Sequence, residues 1–262
     1  MIKVLDHGYL KLIESWGSDE RIIESARMST DKGFLGWGPR CKHCNVEQRV
    51  CGDDAWGCHS RGGTRENPIP HEFLSGDEKL LKYLSDNKHE TPFEFSGMVI
   101  EVQAPIFVFR EWHRHRTQSY NEMSARYTPL PDLNYVPTVE RLLINSKTNK
   151  QAGTIKDAEE LTEERCEYFR KALVSIYTQA EGLYQEALLG GVPKELARVH
   201  LPVGRYSRMR ASANLRNWLA FLVLREAPTA QWEIRQYAHA LHTFLKDKFP
   251  RTVELLELRQ KI

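Results

Sequence analysis

Residues 105–127 read Pro-Ile-Phe-Val-Phe-Arg-Glu-Trp-His-Arg-His-Arg-Thr-Gln-Ser-Tyr-Asn-Glu-Met-Ser-Ala-Arg-Tyr. Two kinds of sequence meet in this stretch. Pro105 suits the first position of a helix, where a backbone N–H is not needed. The apolar run Ile106–Phe109 follows, and the pattern predicts a helix from Ile106 to about Arg116. Beyond it, Ser119, Asn121, Glu122, Ser124 and Arg126 crowd hydrogen-bonding side chains into a short span. A buried helix end running into a dense polar segment points to a binding site. The competing reading is a solvated basic face, the usual fate of a charge run. His113 and His115 stand two residues apart and do not share a helix face, which argues against a metal pair.

Working outward, Ser96–Ala104 predicts a strand, and Gly76–Asn87 predicts a helix with Leu80, Leu81 and Leu84 on one face. Ile2–Leu5 and Tyr9–Ile13, separated by Asp-His-Gly, predict paired strands. Ser18 before Asp19 and Glu20 marks a helix start. Residues 33–70 are rich in Gly, Pro, Cys, His and charge without periodicity, and read as an irregular loop or insertion. Downstream, the three prolines of Tyr127–Pro137 exclude a helix there. Residues 157–189 give the clearest helix: Leu161, Phe169, Leu173, Ile176, Tyr177, Ala180, Leu183, Tyr184 and Leu188 recur at three- and four-residue steps. Gly190-Gly191 stops it. Pro193 starts a short helix that Pro202 ends, Arg205–Ala213 predicts a strand, and Asn214–Arg225 and Thr229–Phe249 predict two more helices. The mixture predicts an α+β fold, a central mixed or antiparallel sheet flanked by helices. It is expected as one domain over 1–262 with the cysteine-rich insertion at about 33–70.

Hydrophobic residues make up 41% and charged residues 27% of the chain, as in ordinary globular proteins, and the net charge of +2 does not by itself call for nucleic acid. No apolar run approaches the roughly 20 residues of a membrane span. The opening Met-Ile-Lys-Val-Leu-Asp-His lacks a signal-peptide pattern, so the cytoplasm is the expected compartment and disulfides are not expected among the five cysteines. The arginines are uneven: Arg110, Arg114, Arg116 and Arg126 form one group, and Arg198, Arg205, Arg208, Arg210, Arg216 and Arg225 another. Such clusters suit phosphate or carboxylate held in fixed geometry. Cys41, Cys44, Cys51 and Cys58 follow a C-x2-C-x6-C-x6-C spacing that can supply a tetrahedral structural zinc shell; reduced thiols, and disulfide or redox chemistry, are the alternatives. Cys166 lies on the long amphipathic helix between Glu164 and Glu167, a core position rather than a nucleophile's.

Arg114-His115-Arg116 followed seven residues later by Ser124, with Ser119, Asn121, Glu122, Arg126 and Tyr127 in place, resembles the signature of the flavin-dependent thymidylate synthase family. His89-Glu90-Thr91-Pro92-Phe93-Glu94, Ala104–Val108, Gly191-Val192-Pro193 with Ala197-Arg198, Leu201-Pro202, and Asn214, Arg216, Arg225 and Ala230–Glu233 extend the likeness over about residues 1–32 and 75–250. The resemblance implies a homotetramer with FAD bound between subunits. It implies reductive methylation of dUMP to dTMP, with methylenetetrahydrofolate as carbon donor and NADPH as reductant, and no cysteine nucleophile. By the same resemblance, Arg225 is the catalytic residue, stabilising charge on the pyrimidine. Thr91, Arg114, His115, Arg116, Glu122, Asn214 and Arg216 would contact FAD. Glu111, Trp112, His113, Arg114, Glu122, Met123, Ser124, Ala125, Arg126, Arg198 and Arg225 would surround dUMP.

Three positions depart from the family pattern: Glu111 where glutamine is common, Leu215 where a small residue is usual, and Ala220 where relatives place a polar flavin contact. Two other readings stay open at this level. One is a zinc-containing nucleic-acid-binding module. The other is a flavin protein that kept the scaffold and lost synthase activity.

Overall fold

The computed structural model describes residues 1–38, 40–41, 73–74, 76–145, 152–155 and 158–260. In chain order the elements are β1 (Ile2–Val4), β2 (Gly8–Trp16), α1 (Asp19–Arg27), β3 (Arg40–Cys41), β4 (Phe73–Leu74), α2 (Glu78–Asp86) and β5 (Gly97–Pro105). There follow α3 (Ile106–Trp112), β6 (Ser119–Glu122), α4 (Val139–Leu143), α5 (Glu163–Leu189), α6 (Lys194–Ala197) and β7 (Tyr206–Asn214). The chain ends with α7 (Leu215–Arg225), α8 (Trp232–Lys248) and α9 (Pro250–Gln260). Five strands form one antiparallel sheet in the order β1-β2-β5-β7-β6. The predicted α+β class, a sheet with flanking helices, is the one observed. No helix among the described residues is long and apolar enough to cross a membrane.

The residues group into two compact units, each discontinuous in sequence. The first comprises Met1–Glu14, Val99–Ala213 and Ala220–His242; the second comprises Ser15–Met98, Asn214–Leu219 and Thr243–Ile262.

In the first unit, β1 and β2 form the expected antiparallel pair, Ile2 opposite Leu10 and Val4 opposite Gly8. Gly8 is required there: a Cβ would lie 2.0 Å from the Tyr237 hydroxyl and 2.5 Å from the Val4 carbonyl oxygen. That hydroxyl donates instead to the Gln103 carbonyl at 2.8 Å, joining α8 to β5. Strand β5 is buried on nearly all its length, and its alternate apolar residues Ile100, Val102 and Ala104 are fully enclosed. Arg205, 1% exposed, is the one buried cation of this core among the described residues; its Nη1 donates to Glu181 at 2.6 Å and Asp132 at 2.9 Å, so the charge is neutralised where it is desolvated.

In the second unit, Ser18 caps α1 as predicted, its hydroxyl accepting from Arg21 N at 3.3 Å. Gly17 precedes it at φ +75°, with Ser96 so close that a Cβ would meet its Oγ at 2.2 Å. Buried Asp19 accepts from Arg251 N at 2.8 Å, Thr252 N at 3.2 Å and Thr252 Oγ1 at 2.6 Å, satisfying the free donors that open α9. At the base of the insertion, β3 pairs antiparallel with β4, Cys41 opposite Phe73. Buried Asp77 accepts from Leu35 N and Gly36 N and pairs with Arg27, which ties the segment before β3 to the start of α2.

Five predicted elements need correction. Helix α3 ends at Trp112, about one turn earlier than expected, because the next amides reach back three residues rather than four: His115 N donates to Trp112 O at 3.0 Å and Gln118 N to His115 O at 3.3 Å. The polar segment after it contains a strand, β6, paired with β7. Helix α5 starts at Glu163 behind a Thr162 cap, so Leu161 stands outside it. Its apolar stripe is largely uncovered in the single chain: only Cys166 and Tyr184 are buried, while Phe169, Ile176 and Leu183 are about half exposed. The short helix after Pro193 stops at Ala197, before Pro202, and α9 extends the helical structure past Phe249.

Candidate active site

The site is built in the first unit at the C-terminal end of α3. Phe109 and Trp112 point into the core, and Trp112 is fully buried against Phe221 at 4.6 Å and Tyr237 at 6.2 Å between ring centroids. Its indole N–H donates to the Gln118 side-chain oxygen at 3.0 Å, which pins the polar turn to the helix. A helix end leaves carbonyl oxygens without intrahelical donors. Two side chains supply those donors here. The Tyr120 hydroxyl directs its one hydrogen to His115 O at 2.7 Å and lies 3.2 Å from Trp112 O, and Arg225 Nη2 donates to Glu111 O at 3.0 Å. Burial pushes the Tyr120 phenol well above its ordinary range, so it stays a donor.

Arg225, at the end of α7, is held at every nitrogen. Besides Glu111 O, its Nη1 donates to Glu111 Oε2 at 3.1 Å and its Nε to His115 Nε2 at 2.8 Å. The side chain of Arg225 is only 15% exposed, whereas that of Glu111 is 44% exposed. The carboxylate that departs from the family pattern therefore has its charge balanced by this arginine. His115 must offer a lone pair at Nε2, so its proton sits on Nδ1. Burial first, and the Arg225 charge second, hold this imidazole down to about 4, so it is neutral near pH 7.

The other predicted nucleotide-contacting residues continue along the same stretch. His113 meets the Tyr120 ring edge-on at 4.9 Å between centroids, and Glu122 ends β6 opposite Met209. Met123 N donates to Arg208 O at 2.7 Å, carrying the chain out of the ladder. Ser124 closes a turn: its carbonyl accepts from Tyr127 N and Thr128 N, and its Oγ accepts from Arg126 N at 3.3 Å. Ala125 is buried beneath. Arg126 pairs loosely with Glu195 at 3.8 Å, with both side chains more than half exposed. Arg198, half-buried after α6, and the exposed Arg114 and Arg116 make no ion pair among the described residues.

The remaining predicted flavin contacts belong to the second unit. Asn214 caps α7, accepting from Asn217 N at 3.0 Å, and Thr91 is exposed at the start of a 3-10 turn over Thr91–Phe95. Arg216 bridges Glu90 at 2.6 Å and Glu94 at 2.5 Å. Leu215 is fully buried, its N–H on Ser96 O at 2.7 Å, so a packing demand accounts for its size. Ala220 is exposed. Of the proposed zinc ligands, Cys41 is buried on β3; Cys44, Cys51 and Cys58 lie outside the described residues, among which no group of His, Cys, Asp or Glu is placed to hold a metal. Sequence reading missed Tyr120 and Gln118 as parts of the site. The polar run Ser119–Glu122 carries no alternation in sequence that marks a strand; its period-two exposure emerges only in the structure.

The arrangement is an arginine locked beside a carboxylate and a neutral imidazole, with further uncommitted arginines along one stretch of chain. The family described as thymidylate synthase complementing protein matches residues 11–251. The chain belongs to this family. Its relatives include the flavin-dependent thymidylate synthase of Thermosipho africanus, 33% identical over 252 residues, which cover 96% of this chain and 92% of that protein. That of Thermus thermophilus is 34% identical over 251 residues, covering 95% and 75%. Among solved structures, the UMP/dUMP methylase PolB from Streptomyces cacaoi bound with 5-Br UMP has a TM-score of 0.72 at 26% identity, covering 98% of this chain and 96% of that one. The same methylase bound with 5-Br dUMP gives 0.71 at 28% identity. Family membership bears out the resemblance carried by residues 114–127.

Proposed function

We propose that this chain is a flavin-dependent thymidylate synthase that converts dUMP to dTMP, with methylenetetrahydrofolate as carbon donor and NADPH as reductant. The observation that carries this reading is the fixed Arg225 guanidinium. Uracil C5 is a weak nucleophile, and one route to its activation is a thiol adding to C6. Both cysteines of the described residues, Cys41 and Cys166, are buried and poorly placed for such an attack. A permanently charged guanidinium whose orientation is already set can stabilise charge on the pyrimidine without reorganising during reaction. Glu111 beside it offers an acceptor for a base N–H. The hydroxyl hydrogen of Ser124, with Arg126 and Arg198, suits a phosphate dianion, which would outcompete the loose Arg126–Glu195 pair.

The residues proposed for FAD have groups that suit its anionic pyrophosphate. Arg114 and Arg116 are exposed and uncommitted among the described residues, as a pyrophosphate requires, and His115 keeps an Nδ1–H to donate. In the second unit, Arg216 holds only solvent-exposed carboxylates, a weak commitment that an anion can replace. Bound flavin supplies the hydride and the one-carbon relay. The uncovered apolar face of α5 supports assembly into the homotetramer.

The purified protein should be yellow, and with all three substrates it should form dTMP. A yellow protein that oxidises NADPH without forming dTMP would favour the scaffold-without-synthase reading. A colourless protein with salt-sensitive DNA or RNA binding would favour the nucleic-acid module. Running the assay with UMP tests whether a ribose is accepted. The cysteine spacing is proposed as a structural zinc site. Metal analysis should find about one zinc per chain, absent from a Cys41→Ser/Cys44→Ser variant; zinc-free parent protein would end that proposal.

A further inference from the structure

We infer that His115 is a positioning residue for Arg225: its Nε2 lone pair fixes the plane in which the guanidinium meets the substrate. This rests on the proposed function for its catalytic consequence, but the geometry stands by itself. Three acceptors surround the guanidinium, and they are not equivalent. Glu111 O and Glu111 Oε2 both belong to one residue and hold the two terminal nitrogens. With those alone, the group could still pivot about the line joining them. His115 Nε2, at 2.8 Å from Nε, is the third point that removes the pivot.

The imidazole is itself immobilised. Its ring lies 4.7 Å from Phe221, one helical turn before Arg225 on α7. Its backbone is held at both ends, N–H on Trp112 O and carbonyl under the Tyr120 hydroxyl. An arginine Nε is always a donor, so only the Nδ1–H tautomer can complete the bond. An imidazolium would present N–H against N–H and push the arginine away. Among the described residues, the charged group against this ring is Arg225 from α7; Tyr120 from β6 touches the His115 carbonyl through its hydroxyl, and Glu111 from the end of α3 pairs with the far side of the same guanidinium. The low pKa of the ring agrees with a neutral form through the working range.

The test combines three variants saturated with FAD. His115→Ala should lower kcat by about 10²-fold, the size of effect a small misplacement of a catalytic group produces. His115→Gln, whose amide oxygen reaches the Nε2 position, should recover most of that loss. In an Arg225→Ala background, His115→Ala should add little, because the residue acts through the arginine. Additive losses, or a glutamine variant no better than alanine, would overturn the inference. A second measurement needs no turnover. Nitrogen NMR of histidine-labelled protein should show Nδ1 protonated and Nε2 bare in the parent, and a higher imidazole pKa in Arg225→Ala. A protonated Nε2 in the parent would sink the positioning role, whereas absence of dTMP from the parent would count against the proposed function alone.

Discussion

Replacing Arg225 by alanine is expected to lower kcat for dTMP formation by about 10²–10³-fold while the flavin stays bound, the loss typical of removing one preorganised donor from a site of developing charge. The guanidinium is nearly enclosed, and all three of its nitrogens are engaged by Glu111 and His115. Alanine removes the charge and frees both partners. The Glu111 carboxylate, 44% exposed, can rehydrate, so the fold should lose little stability. Lysine should rescue poorly, because one ammonium cannot address the Glu111 carbonyl, the Glu111 carboxylate and the imidazole together. The measurement is steady-state dTMP formation beside the flavin absorbance of the same sample. A variant with near-normal kcat would remove Arg225 from the chemistry, and a variant that lost its colour would recast it as a flavin-binding residue.

Trp112→Ala should be the most destabilising single change in the motif. The side chain is fully buried against Phe221 and Tyr237, and its truncation should cost about 3–5 kcal/mol through lost burial and the cavity left behind. A second cost follows from Gln118. Its side-chain nitrogen already lacks a partner, and without the indole N–H its oxygen loses one too. For a chain of this size the melting temperature should fall by on the order of 10 °C. Function should fall with it, because the same bond pins the turn that carries His115. Trp112→Phe should keep most of the packing and lose only the hydrogen bond, so its melting point should lie between the two. A melting point unchanged in Trp112→Ala would mean that the turn is anchored elsewhere.

The Glu111 departure shows why the site could not be completed from residues alone. In sequence, a carboxylate at that position is an unbalanced charge. In the structure it is half of a pair with Arg225, 114 residues away. The long helix carries the opposite lesson. Its periodicity correctly marked a helix with an apolar stripe, yet periodicity reports only that a face is apolar and not what covers it. Phe169, Ile176 and Leu183 stand about half exposed in the single chain.

By itself, the sequence determined whatever rests on local chemistry. Ser18 and Thr162 mark helix starts because their hydroxyls take up free amides, β5 follows from its alternating apolar residues Met98, Ile100, Val102 and Ala104, and the spacing from Arg114 to Tyr127 places the chain in its family. Tertiary structure alone decided where α3 stops, that Ser119–Glu122 pairs as a strand, and that Arg225 meets His115 across 110 residues. The physical reason is range. Caps and periodicity are satisfied within a turn or two of backbone, whereas a free carbonyl at a helix end or an unpaired guanidinium takes whichever partner the packed core brings to it.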